Sequence, residues 1–321
     1  MGPICLIKTY MHIPVLLKES IEILNPQKSE FFIDATIGGG GHSEEILKKI
    51  GASGKLLGID WDKDAIERLK KKFKDCKNAI LVNANYADLP EILKENKLPK
   101  AKGLIIDLGF SSEQLEKSGK GFSFLRDEPL IMTYRTDKSN WPNKFDNSYL
   151  TAAEVVNQFS EKELAALFWK YGEERYSRQI AKRIVEERKK KRILTTFDLV
   201  EAINKSYRTN RTYKLHPPHK FMRGMHPATK VFQALRIYVN AELDNLEKLL
   251  KNLTAVLKSD GRAVIISFHS LEDRLVKNYF RQMVKEGEAE FLVKKPIRPA
   301  REEISKNPRA RSAKLRAIKI K

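Results

Sequence analysis

Short apolar runs and amphipathic stretches alternate along the first third of the chain. The runs at 31–36, 55–60, 79–83 and 103–108 (FFIDAT, KLLGID, AILVN, GLIIDL) have the length and composition of buried strands. Helical periodicity fills the gaps at 43–50, 62–73 and 87–95. Strands alternating with helices predict a parallel, doubly wound sheet. After 108 the alternation stops. Residues 110–150 are irregular, with Gly119, Gly121, Pro129 and Pro142, and 151–205 read as several helices. One of these, SEKELAALFWKYG, opens with Ser160 as N-cap and Glu163 three residues on. The stretch 206–227 is loop-like, with Pro217, Pro218 and Pro227. Alternation then resumes: one long helix in 228–257, a strand at 261–268, a helix at 271–285, a strand near 289–295 and a last strand at 314–321. The pattern predicts one α/β domain in two parts, 12–115 and 226–321, interrupted by a helical insertion at 116–225.

The first strand runs into a glycine turn, DATIGGGGHS. Asp34 ends the strand, and Gly38, Gly39, Gly40 and Gly41 precede a helix. Glycines between a strand and a helix let a ligand approach the backbone. Asp60 ends the second strand about 20 residues later, the spacing at which an acid accepts hydrogen bonds from a ribose diol. A nicotinamide dinucleotide and S-adenosylmethionine both fit that pair, and a plain helix-start turn would also produce it. Asp107, which ends the fourth strand in IIDLGFSS, separates them. In open α/β sheets ligands bind beyond the carboxyl ends of the strands. Three carboxylates there would repel a pyrophosphate but suit a sulfonium carrying an ammonium group. The two strands after the fifth, the last forming a hairpin partner, also match a class I methyltransferase sheet better than two mononucleotide-binding halves.

Charge adds a substrate class. Of 321 residues, 61 are Lys or Arg and 41 Asp or Glu, a net charge of +20. Residues 151–225 carry 17 basic against 9 acidic side chains, and 291–321 carry 11 against 2. Positive charge clustered in this way favours a polyanion such as nucleic acid; a solvated lysine-rich surface is the plainer alternative. Two cysteines, Cys5 and Cys76, exclude a disulfide framework and a cysteine zinc site, no metal is expected, and a reducing cytoplasm fits. No apolar run approaches the roughly 20 residues of a membrane helix, and MGPICLIKTYMH lacks the regions of a signal peptide.

Other polar clusters carry two readings each. In SFHSLEDRLVK (267–277), Ser270 reads as an N-cap with Asp273 at the third helical position, while His269 fits packing or a base contact equally. The arginines of NPRARSAKLR (307–316) fit a phosphate-binding loop or a solvated turn. Phe232, Leu235, Val239 and Leu243 are spaced as a core face.

With these residues laid out, the chain resembles the RsmH (MraW) family of bacterial 16S rRNA cytosine-N4 methyltransferases. HIPVLLKE, DATIGGGGHS, GIDWDKDAI, IIDLGFSSEQL, GFSF, TAAEVVN, YGEER, HPATKVFQALRIYVNAEL, ISFHSLEDRLVK and NPRARSAKLR carry the resemblance from about residue 12 to 321. It implies a Rossmann-like, S-adenosylmethionine-dependent fold with a mostly parallel seven-stranded sheet and an inserted all-helical domain. It also implies methylation of a cytidine N4 in the decoding (P-site) region of small-subunit rRNA. Cofactor contacts would come from Gly40, Gly41, His42, Asp60, Tyr86, Asp107 and Gln114, with Tyr86 stacking on adenine. Where the family usually reads PLDMRMD this chain has PLIMTYRTD (129–137), with Ile131 in place of an acid and an apparent insertion up to residue 150.

Cytosine N4 is a poor nucleophile because its lone pair is delocalised into the ring. An acceptor on an N4–H favours the pyramidal amine as charge develops. Asp107, Ser111 and His269 are the candidate catalytic residues. Carbon-5 methylation would need a thiolate, and neither cysteine lies at a strand's carboxyl end. The target base must leave its stack; Phe110, Phe122 and Phe124 are candidate stacking partners or core. A non-catalytic small-subunit assembly factor retaining this fold is the second reading, permitted by Ile131, and a homodimer is left open.

Overall fold

A computed structural model describes residues 14–109, 118–134, 150–208 and 226–321. Phe110, Ser111, Gln114 and most of the 131–150 stretch lie outside them. The chain divides into two compact units, Met1–Ser111 with Leu243–Lys321, and Ser112–Glu242.

The first unit is built on seven strands: β1 Phe31–Asp34, β2 Lys55–Asp60, β3 Ala79–Asn83, β4 Ala101–Asp107, β5 Leu257–Ser267, β6 Ala289–Phe291 and β7 Lys314–Ile320. Their order in the sheet is β3-β2-β1-β4-β5-β7-β6. β1 pairs in parallel with β2 and β4, and β7 runs antiparallel between β5 and β6. This is the expected mostly parallel, Rossmann-like sheet. Every residue of β1 is buried, because a central parallel strand is covered on both faces and therefore reads as a continuous apolar run.

Alternation along each strand sends neighbours to opposite cores. Ile33, Leu57, Leu104, Ile106 and Ile265 face one core, shared with Leu89, Leu249, Leu253 and Phe280. Phe32, Leu56, Ile105 and Val264 face the other, shared with Leu24, Ile46 and Leu69. Helices α1 (Leu17–Leu24), α2 (Gly41–Ile50) and α3 (Lys63–Lys72) cover the second face. A helix α4 (Leu89–Glu95) covers the first, preceded by a 3-10 turn at Tyr86–Asp88 that the sequence pattern merged with it.

In the second unit, α5 (Ala152–Gln158), α6 (Glu161–Gly172), α7 (Ser177–Arg188), α8 (Thr196–Arg208) and α9 (Ala228–Val239) form a helical body. Ser160 caps α6 as expected: its side chain accepts from the Glu163 N–H, and Glu163 accepts from the Ser160 N–H. Thr151 and Glu154 make the same reciprocal pair on α5. Phe232 and Leu235 of α9 are buried as its spacing predicts.

The single helix expected at 228–257 is three: α9, α10 (Glu242–Lys251) and α11 (Leu253–Val256). Ala241 takes φ 48°, and the buried Asn240 side chain donates to the Met132 carbonyl and accepts from the Tyr134 N–H. Those tertiary bonds compete with helix continuation, and periodicity does not report them. After β5 come α12 (Ser270–Lys285) and a further short helix, α13 (Arg301–Lys306), which the pattern did not predict. In α13, Glu303 accepts from the Leu16 N–H at 2.8 Å and so ties down the start of α1.

Candidate active site

The carboxyl ends of β1, β2 and β4 set three acids along one sheet edge. Asp34 is 2% exposed; its Oδ2 accepts from the Ser43 hydroxyl at 2.6 Å. Asp60 is 9% exposed; its two oxygens accept from the N–H groups of Gly38 and Asp62, each at 2.9 Å. That pair of bonds fixes the glycine turn to the end of β2. Asp107 is half-buried, and its Oδ1 accepts from the Gly109 N–H at 3.0 Å. Thr36 stitches two of these strand ends together, since its Oγ1 accepts from the Asp107 N–H at 2.7 Å. Thr36 and Ser43 stood in the glycine-turn motif but carried no signal of their own; only the folded edge shows what they hold.

Burial dominates the electrostatics. It pushes Asp34 and Asp60 each up to about 6, against the hydrogen bonds each accepts. Asp107 is pushed to about 7, first by burial and then by the neighbouring charges of Asp34 and Glu272, with the Gly109 N–H working the other way. Two buried carboxylates and a half-buried one, with few cations beside them, form an edge where a positive group is favoured and a phosphate is not.

The glycine turn is shaped by contact. Gly40 has φ 78°, and a Cβ there would lie 2.8 Å from the Leu69 Cδ2 of α3. Glycine is the only residue without strain at that point. Gly40 therefore stands at the head of α2 and offers no side-chain cap to its first turn, Gly41 and His42. Gly109 is also tightly enclosed: a Cβ would lie 2.7 Å from the Phe268 Cζ and 2.9 Å from Asp107 Oδ1.

The remaining candidates fall into different places. Tyr86 opens the turn after β3 and packs partly buried on the first core. Asn85 holds that turn by accepting from the Ala87 N–H, and its amide donates to Asn245. The ring of His42 is buried, with Nε2 3.2 Å from the Val15 carbonyl oxygen. Ser111 and Gln114 lie outside the described residues.

After β5 the cap falls one residue earlier than expected. His269, not Ser270, caps α12: its Nδ1 accepts from the Glu272 N–H at 3.3 Å, and Glu272 Oε2 accepts from the His269 N–H at 3.2 Å. The imidazole can cap because an unprotonated ring nitrogen is an acceptor. Asp273 is taken by β7, accepting from Lys314 Nζ at 2.9 Å and Arg316 Nε at 2.7 Å. Burial works to raise its carboxyl, but those two bonds outweigh it and hold it below the ordinary range. Lys314 and Arg316 are therefore engaged in tying α12 to β7, and the phosphate-loop alternative for 307–316 is reduced to Arg309 and Arg311, both exposed. Phe122 stacks on Tyr134 at 5.1 Å, and Phe124 on His226 at 4.6 Å, so both aromatics serve packing in the helical unit.

The sequence pattern of the MraW methylase family matches residues 9–321. The chain belongs to the MraW methylase family. It is 42% identical over 325 residues to the ribosomal RNA small subunit methyltransferase H of Clostridium botulinum (strain Loch Maree / Type A3), across 97% of this chain and 99% of that one. Against the protein of the same name from Dictyoglomus thermophilum it is 44% identical over 308 residues, 95% of each chain. Against that of Caldicellulosiruptor saccharolyticus it is 44% identical over 322 residues, 96% of this chain and 98% of that one. The sheet and its acidic edge thus belong to a methyltransferase, with a Rossmann-like class I fold. No helix among the described residues is long and apolar enough to cross a membrane.

Proposed function

We propose that this chain is a small-subunit rRNA methyltransferase that takes S-adenosylmethionine as donor and acts on N4 of a cytidine in the decoding region of 16S rRNA. The observation that carries the proposal is the set of three acids at the ends of β1, β2 and β4, two of them bordering the glycine turn. The relatives' name supplies the rRNA of the small subunit. The acceptor atom and the decoding-region site rest on the resemblance of the motifs.

The edge fits the donor on its own terms. A ligand with ammonium and sulfonium charge would relieve carboxylates that burial has raised to about 6 and about 7. Asp60, at the end of β2, would accept from the ribose diol while keeping its bonds from Gly38 and Asp62. Gly40, Gly41 and His42, at the start of α2, would face the donor's carboxylate. Tyr86, Asp107 and Gln114 complete the proposed contacts. When bound, S-adenosylmethionine would supply an electrophilic methyl group.

Asp107 has the chemistry the acceptor amine needs. Its ionised carboxylate would accept an N4–H of the extruded cytosine and orient the nitrogen lone pair, assisted by the carbonyls that follow it. The bond from the Gly109 N–H and the Thr36 link fix its position. His269, committed to the cap of α12, would position that helix start near the base. Ser111 is proposed as a further contact to the reacting amine.

Two measurements test the proposal together. Calorimetry with S-adenosylmethionine should show binding by the folded protein, and mapping of modified cytidines in small-subunit rRNA should show an N4-methylated residue only when the protein is active. A folded protein that bound no donor would leave a non-catalytic assembly factor as the surviving alternative.

A further inference from the structure

We infer that the methyltransferase unit carries a second RNA-binding surface, a basic cleft between α12 and the β6–β7 edge that holds a single-stranded segment beside the target; this rests on the proposed action on rRNA. The cleft encloses about 350 Å³ and is lined by Lys277, Phe280, Arg281, Phe291, Lys294 and Arg316 among others. Among the described residues no acidic side chain lines it.

Three observations favour a nucleic-acid strand. First, three of the four lining cations carry no ion pair among the described residues. Some lysines of this unit pair with a nearby carboxylate, as Lys48 does with Glu45, Lys70 with Glu67, Lys248 with Asp88 and Lys251 with Glu247. Among the described residues, Lys277, Arg281 and Lys294 make no such ion pair, and only Arg316 is committed, to Asp273. Uncompensated charge converging on one concave surface points to an anionic partner.

Second, Phe291 stands at the lip and is 39% exposed, on a floor that includes the buried Phe280. An aromatic face beside unpaired cations is how single strands are held without base-specific contacts, with bases stacking and phosphates neutralised. A free phosphate or an acidic peptide would not need the exposed ring.

Third, the place is right. Lys277 and Arg281 are four residues apart and so share one face of α12. Helix α12 starts at Ser270, at the carboxyl end of β5 on the proposed catalytic edge. Lys277 is therefore roughly 10 Å, and Arg281 roughly 16 Å, along the helix from that edge. A strand leaving the target base along α12 would enter the cleft directly.

The test uses the full chain, a fluorescent single-stranded oligoribonucleotide, and the triple variant K277Q/R281Q/K294Q. Loss of three phosphate contacts should weaken binding about tenfold or more at moderate salt and flatten the log–log salt slope by about 2. Phe291→Ala should weaken single-strand binding about tenfold while leaving duplex binding nearly unchanged. Calorimetry with S-adenosylmethionine should be unaltered in both variants, which establishes that the fold and the donor site survive. Wild-type affinity and salt slope in the triple variant would overturn the cleft while leaving the methyltransferase proposal standing. An intact effect of the triple variant on oligonucleotide binding, in a wild-type protein that binds no donor, would sink the methyltransferase proposal and keep the cleft. A silent Phe291→Ala with equal competition by poly-glutamate would overturn the RNA assignment in favour of a general polyanion surface.

Discussion

Asp107→Asn isolates the energetic cost of the acidic edge. The asparagine keeps an oxygen to accept from the Gly109 N–H and removes only the ionisation. In the unliganded protein Asp107 sits at about 7, above its unfolded value near 3.9. A carboxyl raised in this way favours folding most when protonated. Its contribution is therefore complete below about pH 4 and is lost as pH climbs through 7. Integrating proton linkage from pH 5 to pH 8 with these two values gives about 2.6 kcal/mol of stability lost. Asp107 keeps some solvent access, which trims the expectation to about 2 kcal/mol. The assay is urea unfolding of wild type and variant at pH 5, 6, 7 and 8 without ligand. Titrating groups not coupled to Asp107 cancel in the difference, so the variant should gain about 2 kcal/mol on wild type between the two ends, about half of it below pH 6 and most of it below pH 7. Parallel profiles would refute the claim that burial holds this acid out of its ordinary range.

The remaining expectations are shorter. Asp107→Asn should also abolish methylation while leaving RNA affinity within about twofold, checked by methyl incorporation and oligonucleotide binding, because its proposed contact is to the reacting amine. Asp60→Asn should weaken donor binding at least about tenfold by calorimetry, since it loses the charge and leaves either the Gly38 or the Asp62 N–H facing an amide donor. Gly40→Val should destabilise the protein by about 2–4 kcal/mol in thermal unfolding, because φ 78° and a Cβ 2.8 Å from Leu69 both oppose it. His269→Ala should cost about 1 kcal/mol from the lost cap. His269→Asn, which can cap, should restore stability, so any rate deficit that persists measures a contact to the base rather than packing.

How much of this was legible depended on whether the cause was local. The strands could be read because a strand buried on both faces must be apolar throughout, and their last residues, Asp34, Asp60 and Asp107, stand out as acids at the ends of apolar runs. Ser160 was legible as a cap because its partner Glu163 lies three residues away. The break at Asn240 was not, since its bonds go to Met132 and Tyr134, more than a hundred residues back in the chain. Periodicity also could not divide the basic residues of 307–316. Lys314 and Arg316 alternate on β7 toward Asp273, whereas Arg309 and Arg311 precede the strand on an exposed turn. Nor could composition tell Phe122 and Phe124 from base-stacking rings, because a ring's partner is a matter of tertiary position. The cap falls on His269 rather than Ser270 for a chemical reason that spacing does not show: the common capping residues are Ser, Thr, Asp and Asn, and Ser270 fits that rule better than an imidazole.

The cost of the acidic edge and its proposed use are two sides of one linkage. Asp34, Asp60 and Asp107 disfavour ionisation without a ligand because no counter-charge has replaced the water they lost. A positively charged donor would lower all three, so binding near neutral pH must release protons. At pH 6.5 the two acids at about 6 are roughly a quarter protonated and the one at about 7 roughly three-quarters, by the ordinary titration relation. Up to about one proton in total should therefore leave on binding, and the affinity should rise as pH climbs from 6 to 8. Calorimetry in two buffers of different ionisation enthalpy reads that number directly. In Asp107→Asn the release should fall by more than half, since that group holds most of the exchangeable proton. A release of zero in wild type would mean that the donor leaves these carboxylates untouched, and the acidic edge would then have to be explained by folding alone.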